Sequence, residues 1–505
     1  MDALVVDLTH GGVKIAVELE KLGQYENIYA YDIYNTLKGD EKHKLHANNI
    51  KLLDNENDIK DYMSNFISNP KSANNDLLVV NPIHSSFNVF NINSIREITH
   101  HKAVNLILSK WKKKINHENI PIIEVTGVKG KTSVVTMLKE ILIHKNPLVL
   151  TSLGANLYKN DKKVVLKKNI SITPASILET VKLAKKIANP DCIKIEENNN
   201  YNNYNNLCYG VCIFESSLGV TGLGNVGVLT NIVENYSIAK NSSNARDAKQ
   251  QVFDCDIVAI EKETLEKYYS EKIDNDVKIN TFSFTDKNAN LFVEEIKFDL
   301  NRTNIKIIYN NIKTNSGKII NGHLGIATFA PGKHHVLNVL ATVTTALSCD
   351  IDDDIIISGL ANFKGIKGRT SLKIQENSII IEEINPGINT KAIESSINMI
   401  NNLNDYVVIL GGKYGVTCEE IDENKVANLL DNILDDESKD NDFHLNKEFK
   451  LNLILTDELG VEIKKRMKNP VKFVKDSFEA QKIAINNKKN ILLIYRSNYS
   501  QINNR

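Results

Sequence analysis

The chain has 505 residues, enough for two to four domains that each bury a hydrophobic core. Its 62 basic and 62 acidic residues cancel, which excludes a bulk electrostatic attraction to nucleic acid or to a membrane surface. No apolar run approaches the roughly 20 residues of a membrane-spanning helix. The six cysteines show no C-x-x-C spacing, so we expect a cytoplasmic protein with reduced thiols.

Short apolar runs alternate with helix-like stretches in the first segment, residues 1–114. Gly11 and Gly12 lead into an amphipathic helix over residues 13–22, and a helix over residues 102–113 ends the segment. This alternation predicts a small Rossmann-like α/β domain with a parallel sheet. Its predicted strands are residues 3–6, 28–31 and 77–80.

A glycine-rich turn then joins a predicted strand, residues 120–125, to a predicted helix, residues 134–143. Such a turn presents backbone N–H groups and the positive end of a helix to a phosphate. Lys131 can reach the terminal phosphates, and the Thr132 hydroxyl can ligate Mg²⁺. The pattern predicts a nucleoside triphosphate site; the alternative is an ordinary strand–turn–helix corner. The predicted ATP-binding residues of this turn are Thr126, Gly127, Val128, Lys129, Gly130, Lys131, Thr132 and Ser133.

The spacing of the turn departs from the common phosphate loop, because Val125 stands where the first glycine is usual. Its compact form, T-G-x-x-G-K-T-S, resembles the Mur ligase family, which includes the peptidoglycan peptide ligases and the folylpolyglutamate synthases. The resemblance implies an α/β fold of three domains. A central P-loop ATPase domain, residues 115–365, would lie between Rossmann-like domains at residues 1–114 and 366–505.

Alternating strands and helices in the last segment agree with that architecture, because they are the signature of βαβ units. The predicted strands are residues 379–381, 407–410, 453–455, 471–474 and 491–494.

An acidic residue, Glu215, ends a buried-strand pattern that begins at Val211. An acid at the carboxyl end of a strand beside a phosphate loop can hold Mg²⁺, although a solvated strand end is the alternative. In Mur ligases the matching glutamate binds magnesium, and a loop serine matching Ser152 does so in folylpolyglutamate synthases. The predicted metal ligands are Thr132, Ser152 and Glu215, and the predicted catalytic residues are Lys131, Glu215 and Lys249.

Three further positions match nucleotide contacts of the family. Asn231 resembles the asparagine at a T-N strand end, and Asn338 resembles the asparagine of a helix that opens near the adenine. Arg369 resembles an arginine that contacts phosphate or the domain hinge, a role that suits the two-pronged guanidinium.

Two positions bear on a second metal ion. Where the family has a magnesium-binding histidine this chain has Tyr236, and Glu234 or Asn235 could substitute for it. Lys249 resembles a lysine that is carbamylated in several Mur ligases and supports the second metal. The alternative for Lys249 is an ordinary surface lysine.

Short strings at both ends resemble the coenzyme F-430 synthetase family of methanogens. They are V-V-D-L-T-H-G-G from Val5, E-E-I-N-P-G from Glu382 and G-V-T-C-E-E-I-D from Gly415. The second string replaces the D-Y-A-H-N-P motif of amide-forming members and keeps only its Asn-Pro. The resemblance implies a ligase that uses ATP and Mg²⁺ to activate a carboxylate of a nickel tetrapyrrole seco precursor. The activated carboxylate would then close a carbocyclic ring.

The predicted substrate-binding residues are His10, Gly11, Gly12 and Asn385. His10 could bind a substrate carboxylate or assist proton transfer, whereas a lone loop histidine is often structural. Two alternatives stay open: an amide ligase that adds an amino acid to a peptide or pseudomurein precursor, and a non-catalytic tetrapyrrole carrier. The scarcity of arginine in the last segment favours ring closure, because an amino-acid ligase needs an arginine that clamps the incoming carboxylate.

Overall fold

The computed structural model describes most of the chain and forms two compact units. The first unit comprises residues 1–295, 306–325 and 337–360, and the second comprises residues 296–305, 326–336 and 361–505. The described residues are 1–68, 77–85, 95–188, 208–233, 235–238, 243–273, 277–367, 369–385, 388–400, 405–414, 421–435 and 451–497. The predicted metal substitute Glu234 and most of the string from Gly415 lie outside them.

The strands are β1 Asp2–Val6, β2 Ile28–Tyr31, β3 Lys51–Leu53, β4 Leu77–Asn81, β5 Ile95–Thr99, β6 Ile122–Thr126, β7 Pro147–Thr151, β8 Gly154–Lys159, β9 Lys162–Lys167, β10 Val211–Glu215, β11 Val226–Leu229, β12 Ser237–Ile238, β13 Ser243–Asn244, β14 Ile257–Glu261, β15 Lys278–Ser283, β16 Leu291–Lys297, β17 Thr303–Lys313, β18 Ile319–Thr328, β19 Arg369–Gln375, β20 Ser378–Ile384, β21 Tyr406–Gly412, β22 Leu453–Thr456, β23 Lys472–Val474 and β24 Asn490–Arg496.

The α-helices are α1 Val13–Glu20, α2 Gly39–Ala47, α3 Glu56–Ser68, α4 His100–His117, α5 Lys131–Ile141, α6 Pro174–Ala188, α7 Ala245–Lys249, α8 Lys262–Tyr268, α9 Lys333–Ser348, α10 Asp353–Asn362, α11 Thr390–Asn398, α12 Glu423–Leu434, α13 Asp457–Arg466 and α14 Ser477–Asn486.

The N-terminal sheet is parallel and has the strand order β3-β2-β1-β4-β5. Its two central strands, β1 and β4, are almost wholly apolar and buried, as expected of a parallel sheet covered on both faces. The chain leaves β1 toward β2 on one side, while β4 lies on the other side. The carboxyl ends of β1 and β4 therefore form a topological switch point, where open α/β sheets place their ligand crevices.

The second sheet has eleven strands in the order β18-β17-β16-β15-β14-β11-β6-β10-β7-β8-β9. The strands from β7 to β15 in this order run parallel, and β8 and β9 extend the sheet as an antiparallel edge. Strand β6 lies between β10 and β11, so its carboxyl end meets the carboxyl ends of both neighbours. Thr126, Glu215 and Leu229 end these three strands.

One hydrophobic core joins the N-terminal sheet to the eleven-stranded sheet within the first unit. It runs from Val5 and Leu78 through α4 and α6 to Leu150 and Phe214, all fully or almost fully buried. Within this core the indole N–H of Trp111 donates to the Tyr209 hydroxyl at 3.1 Å, which satisfies the buried indole donor. This continuity gives the first unit its cohesion.

The second unit contains a six-stranded sheet with the order β19-β20-β24-β21-β22-β23. All its neighbours are parallel except the β19–β20 hairpin. The five strands predicted for this segment are confirmed as β20, β21, β22, β23 and β24. The division into three domains stays a prediction; α4 continues through residue 114, where the first boundary was expected.

Candidate active site

The phosphate-type loop lies between buried β6 and α5, as predicted. Helix α5 begins after Gly130, which has φ +85° and offers no side chain to cap the first N–H groups. A Cβ at Gly130 would lie 2.0 Å from Asn338 Oδ1, and one at Gly127 would lie 1.9 Å from Thr230 Oγ1. The two glycines are therefore required by close packing as well as by their backbone conformation.

Two residues that follow β11 fix the position of this loop by hydrogen bonds to Lys129. The amide of Asn231 makes a reciprocal pair with Lys129, accepting from its N–H at 3.1 Å and donating to its carbonyl at 3.2 Å. Thr230 Oγ1 also donates to the Lys129 carbonyl, at 2.6 Å. Asn231 therefore positions the loop, and its predicted contact with the nucleotide stays a prediction.

The three predicted metal ligands meet beside the loop. Thr132 Oγ1 donates to Glu215 Oε1 at 2.9 Å, and it lies 3.4 Å from Ser152 Oγ. The backbone N–H of Ser152 donates to the other oxygen of Glu215 at 3.1 Å. Two hydroxyls and a carboxylate are hard oxygen ligands at separations close to the edge of a magnesium octahedron, about 3 Å. The donor set fits Mg²⁺.

Two buried hydroxyls border the same site without a hydrogen-bond partner among the described residues: Thr126 Oγ1 and Ser216 Oγ. Thr126 ends β6, and Ser216 follows the last residue of β10. Buried hydroxyls rarely stay unpaired in folded proteins. Both hydroxyl oxygens are enclosed by the packing of the strand ends.

The Lys131 ammonium lies over the loop and donates to the carbonyls of Gly127 at 2.9 Å and Val128 at 3.3 Å. Its predicted contact with the terminal phosphates stays a prediction.

Lys249 lies in the same region and is fully buried, so it is not the surface lysine of the alternative interpretation. Its ammonium donates to the Ser217 carbonyl at 3.0 Å and to the Tyr236 hydroxyl at 3.4 Å. Burial, followed by the charge of Lys131, lowers the pKa of Lys249 to about 7. Tyr236, the residue that replaces a family histidine, therefore contacts the amine whose carbamate would support a second metal.

The N-terminal loop brings together three residues of which only His10 was predicted. His10 Nδ1 and His84 Nε2 each lie 2.8 Å from Asp7 Oδ2, and the two nitrogens lie 3.1 Å apart. Asp7 is fully buried; burial raises its pKa, but the hydrogen bonds and charges of His84 and His10 outweigh this and lower it. We call these three residues the Asp-His-His cluster.

Gly11 and Gly12 have packing reasons for being glycine. A Cβ at Gly11 would lie 2.3 Å from the Ala175 side chain on α6, and one at Gly12 would lie 2.2 Å from the Asp7 carbonyl. The segment just before α6 contacts the loop after β10, because the Ser217 N–H donates to the Ile172 carbonyl at 3.1 Å. The loop after β1 and the loop after β10 thus both contact the N-terminal part of α6 and the residues that lead into it.

Sequence reasoning missed Glu124, which lies in the middle of β6 and is fully buried. Its carboxylate accepts from Thr221 N and Oγ1, Leu223 N and Gly224 N at 2.6–3.0 Å. Burial raises the pKa of Glu124 while these four donors oppose the rise. An acid inside the apolar run I-I-E-V was the available signal. Glu124 ties the β10–β11 connection to the strand that carries the phosphate loop.

Two predicted residues lie in the second unit. Arg369 is the first residue of β19, and Asn385 follows β20, where its N–H donates to the Tyr495 carbonyl at 3.1 Å. Their roles toward nucleotide and substrate stay predictions. Asn338 lies in α9 within the first unit, with its side chain against Gly130.

Comparison with solved structures identifies the architecture. MurF from Acinetobacter baumannii superposes with a TM-score of 0.53 at 14% sequence identity, over 84% of this chain and 82% of that one. The chain has a Mur ligase-like fold. This confirms the fold expected from the loop motif and its companions. Among the described residues of the Mur ligase-like chain, no helix has the length and apolar content that crossing a membrane demands.

Sequence comparison finds coenzyme F(430) synthetases. The protein from Methanocaldococcus jannaschii is 26% identical over 431 residues, covering 85% of this chain and 87% of that protein. The one from Methanosarcina acetivorans is 26% identical over 466 residues, covering 85% and 86%. Residues 372–498 match the family model of the coenzyme F430 synthetase CfbE C-terminal domain. Together with the fold, these findings support an ATP-dependent ligase.

Proposed function

We propose that this chain is a cyclo-ligase that closes the carbocyclic ring of a nickel tetrapyrrole seco precursor and releases ADP and phosphate. The observation that carries the chemistry is the meeting of Thr132, Ser152 and Glu215 beside the loop that bears Lys131. The choice of substrate is supported by the similarity to coenzyme F(430) synthetases over 85% of the chain.

The first step activates a carboxylate, which is a poor electrophile. One carboxylate oxygen attacks the terminal phosphorus of ATP, the bond to the bridging oxygen breaks, and ADP leaves. Lys131 and the N–H groups that begin α5 would stabilise the negative charge on the phosphoryl group during its transfer. Thr132, Ser152 and Glu215 would hold Mg²⁺, which neutralises phosphate charge when it is bound.

The second step forms the carbon–carbon bond. A carbon of the same substrate attacks the acyl carbon, the bond from that carbon to the phosphate-bearing oxygen breaks, and phosphate leaves. The attacking carbon gives up one proton, so the tetrapyrrole loses one molecule of water overall. In this proposal the step differs from amide formation in the attacking atom, while the acyl phosphate is the same.

Lys249 would act near the phosphoryl group through its carbamate. The buried amine is largely neutral above pH 7, and only a neutral amine adds CO₂. The carbamate carries a negative charge and two oxygens, so it could support a second cation close to Lys131.

The test is ADP release by the purified chain with ATP and Mg²⁺, given either the seco nickel tetrapyrrole or a panel of amino acids with peptide acceptors. We expect ADP only with the tetrapyrrole, which should lose the mass of one water. Lys131→Ala should abolish this release, whereas Lys139→Ala, farther along α5, should preserve it.

Two other outcomes would replace the proposal. ADP release that requires an amino acid would make the chain an amide ligase. Unchanged tetrapyrrole binding without any ADP release, in wild type and Lys131→Ala alike, would make it a carrier.

A further inference from the structure

The Asp-His-His cluster lies at the switch point of the N-terminal sheet, apart from the residues assigned to ATP. Asp7 and His10 follow β1, and His84 follows β4, so the two neighbouring strands deliver all three side chains to one edge. Open α/β sheets bind ligands at this edge. The cluster therefore has a position suited to binding.

The three candidate ligand atoms lie within 3.1 Å of one another. The oxygen–nitrogen separations are both 2.8 Å, and the nitrogen–nitrogen separation is 3.1 Å. Bonds of about 2.1 Å from an ion to imidazole nitrogen and carboxylate oxygen place neighbouring ligands about 3.0 Å apart in an octahedron and about 3.4 Å apart in a tetrahedron. The cluster matches one triangular face of an octahedron with small adjustments.

Both ring nitrogens lie within hydrogen-bond distance of the same Asp7 oxygen and of each other. A single divalent cation bound between them would take the place of these hydrogen bonds and offset the charge of the buried carboxylate. Two imidazoles with one carboxylate on a triangular face are the ligand set of facial transition-metal sites, which leave three positions open.

Asp7 is held in place before any ion arrives. Its other oxygen accepts from the backbone N–H groups of Thr9 and His10 at 3.1 and 3.3 Å. Its backbone has φ +65°, a strained conformation for a residue other than glycine. A carboxylate so fixed, with its second oxygen shared by two histidines, resembles a prepared ligand.

We propose that Asp7, His10 and His84 bind one divalent transition-metal ion, with its open positions toward the crevice. The side chains of His10 and His84 are 45% and 24% exposed, so an ion can enter and a carboxylate or water can complete its shell. The inference is independent of the proposed function.

The test uses the full chain, freed of metal by chelation, in a Glu215→Gln background so that the magnesium site does not compete. With one equivalent of Cu²⁺ we expect an electron paramagnetic resonance spectrum with coupling to two imidazole nitrogens. Zn²⁺ affinity, measured by competition with a chromophoric chelator, should weaken more than about 100-fold in His84→Ala and Asp7→Asn.

Two features keep this test decisive. Asn tolerates positive φ and can still accept from Thr9, so Asp7→Asn keeps the loop, and His84→Ala gives a second variant at a part-exposed position. His43→Ala, an exposed histidine on α2, should bind both ions like the parent chain. Unchanged spectra and affinities in His84→Ala, or no nitrogen coupling in the parent chain, would overturn the proposal.

Discussion

Thr132 donates its hydroxyl hydrogen to Glu215 at 2.9 Å, across 83 residues of sequence. Glu215 is almost completely buried, so its carboxylate depends on the few donors that reach it. Strand β10 pairs with β6, and this pairing places the end of one strand beside the helix that follows the other. The relationship supplies the first prediction.

Glu215→Gln should keep the shape of the site and remove the charge that would hold Mg²⁺. Under the proposed function we expect turnover to fall about 10²- to 10³-fold, with a higher Mg²⁺ requirement. The measurement is ADP release against Mg²⁺ concentration. Glu266→Gln, an exposed glutamate on α8, is the matched control and should leave both values unchanged.

Gly130→Ala should block the nucleotide site. Its Cβ would meet Asn338 at 2.0 Å, and φ +85° disfavours any side chain. We expect ATP to bind at least about tenfold more weakly, with a loss of about 1–2 kcal/mol in the free energy of unfolding. Calorimetric titration with a non-hydrolysable ATP analogue measures the first and urea unfolding the second.

The control for that substitution is Gly39→Ala, at the start of α2, where an added Cβ meets nothing within 4 Å. It should leave nucleotide affinity unchanged and leave stability equal or slightly higher. Equal ATP affinity in Gly130→Ala and Gly39→Ala would contradict the assignment of the loop.

Lys249 should react with CO₂ in a pH-dependent way. Because its pKa is lowered to about 7, about nine-tenths of the amine is neutral at pH 8, compared with under about 1% of an ordinary lysine. With ¹³C-labelled bicarbonate we expect a carbamate resonance that grows as pH rises through 7 and is absent in Lys249→Met. Lys262→Met should keep it, since the hydrogen bond from Lys262 to Asp286 raises that lysine's pKa.

Lys249 should also make the free energy of unfolding depend on pH. Its pKa is lower in the folded chain than in the unfolded chain, so the unfolded chain binds more protons between about pH 7 and the ordinary value of 10.5. In the absence of CO₂, the stability of wild type relative to Lys249→Met should rise across that window and be lowest below pH 7. A flat difference in urea unfolding from pH 6 to 10 would show that the amine is not desolvated.

His101 should make the fold sensitive to acid. It is buried in α4, and neither ring nitrogen has a hydrogen-bond partner among the described residues. Burial, then the charges of His100, His84 and Lys249, lower its pKa to about 3. The unfolded chain therefore binds the extra proton below pH 6.5, and stability contributed by the neutral ring is lost progressively as pH falls from 6.5 toward 3.

His101→Leu should remove this loss and raise the free energy of unfolding at pH 5 by about 1–2 kcal/mol relative to wild type. The difference should shrink toward pH 8. His43→Leu, at an exposed position on α2, should show no such pH dependence. Urea unfolding at both pH values tests the prediction; an equal effect of His101→Leu at pH 5 and pH 8 would speak against it.

Local sequence was enough to predict the strand–turn–helix that carries Lys131 and the strand that ends at Glu215. Two glycines, a lysine and a hydroxyl between an apolar run and a helix form a pattern of neighbours in sequence. Strands β6 and β10 and helix α5 lie where this pattern indicated. The acid at the end of β10 was predicted to approach the loop, because parallel strands bring their carboxyl ends to one edge.

Tertiary structure alone decided which distant residues meet. Lys249 is buried beside Tyr236, and His84 meets Asp7 and His10. Both contacts depend on the order of the strands and on the packing of α6 against the loop after β1. The role of Glu124 is visible only in the fold, where four donors from the β10–β11 connection meet its carboxylate. Periodicity reports which face of an element is buried, whereas the partners of a buried polar group are set by packing between elements far apart in sequence.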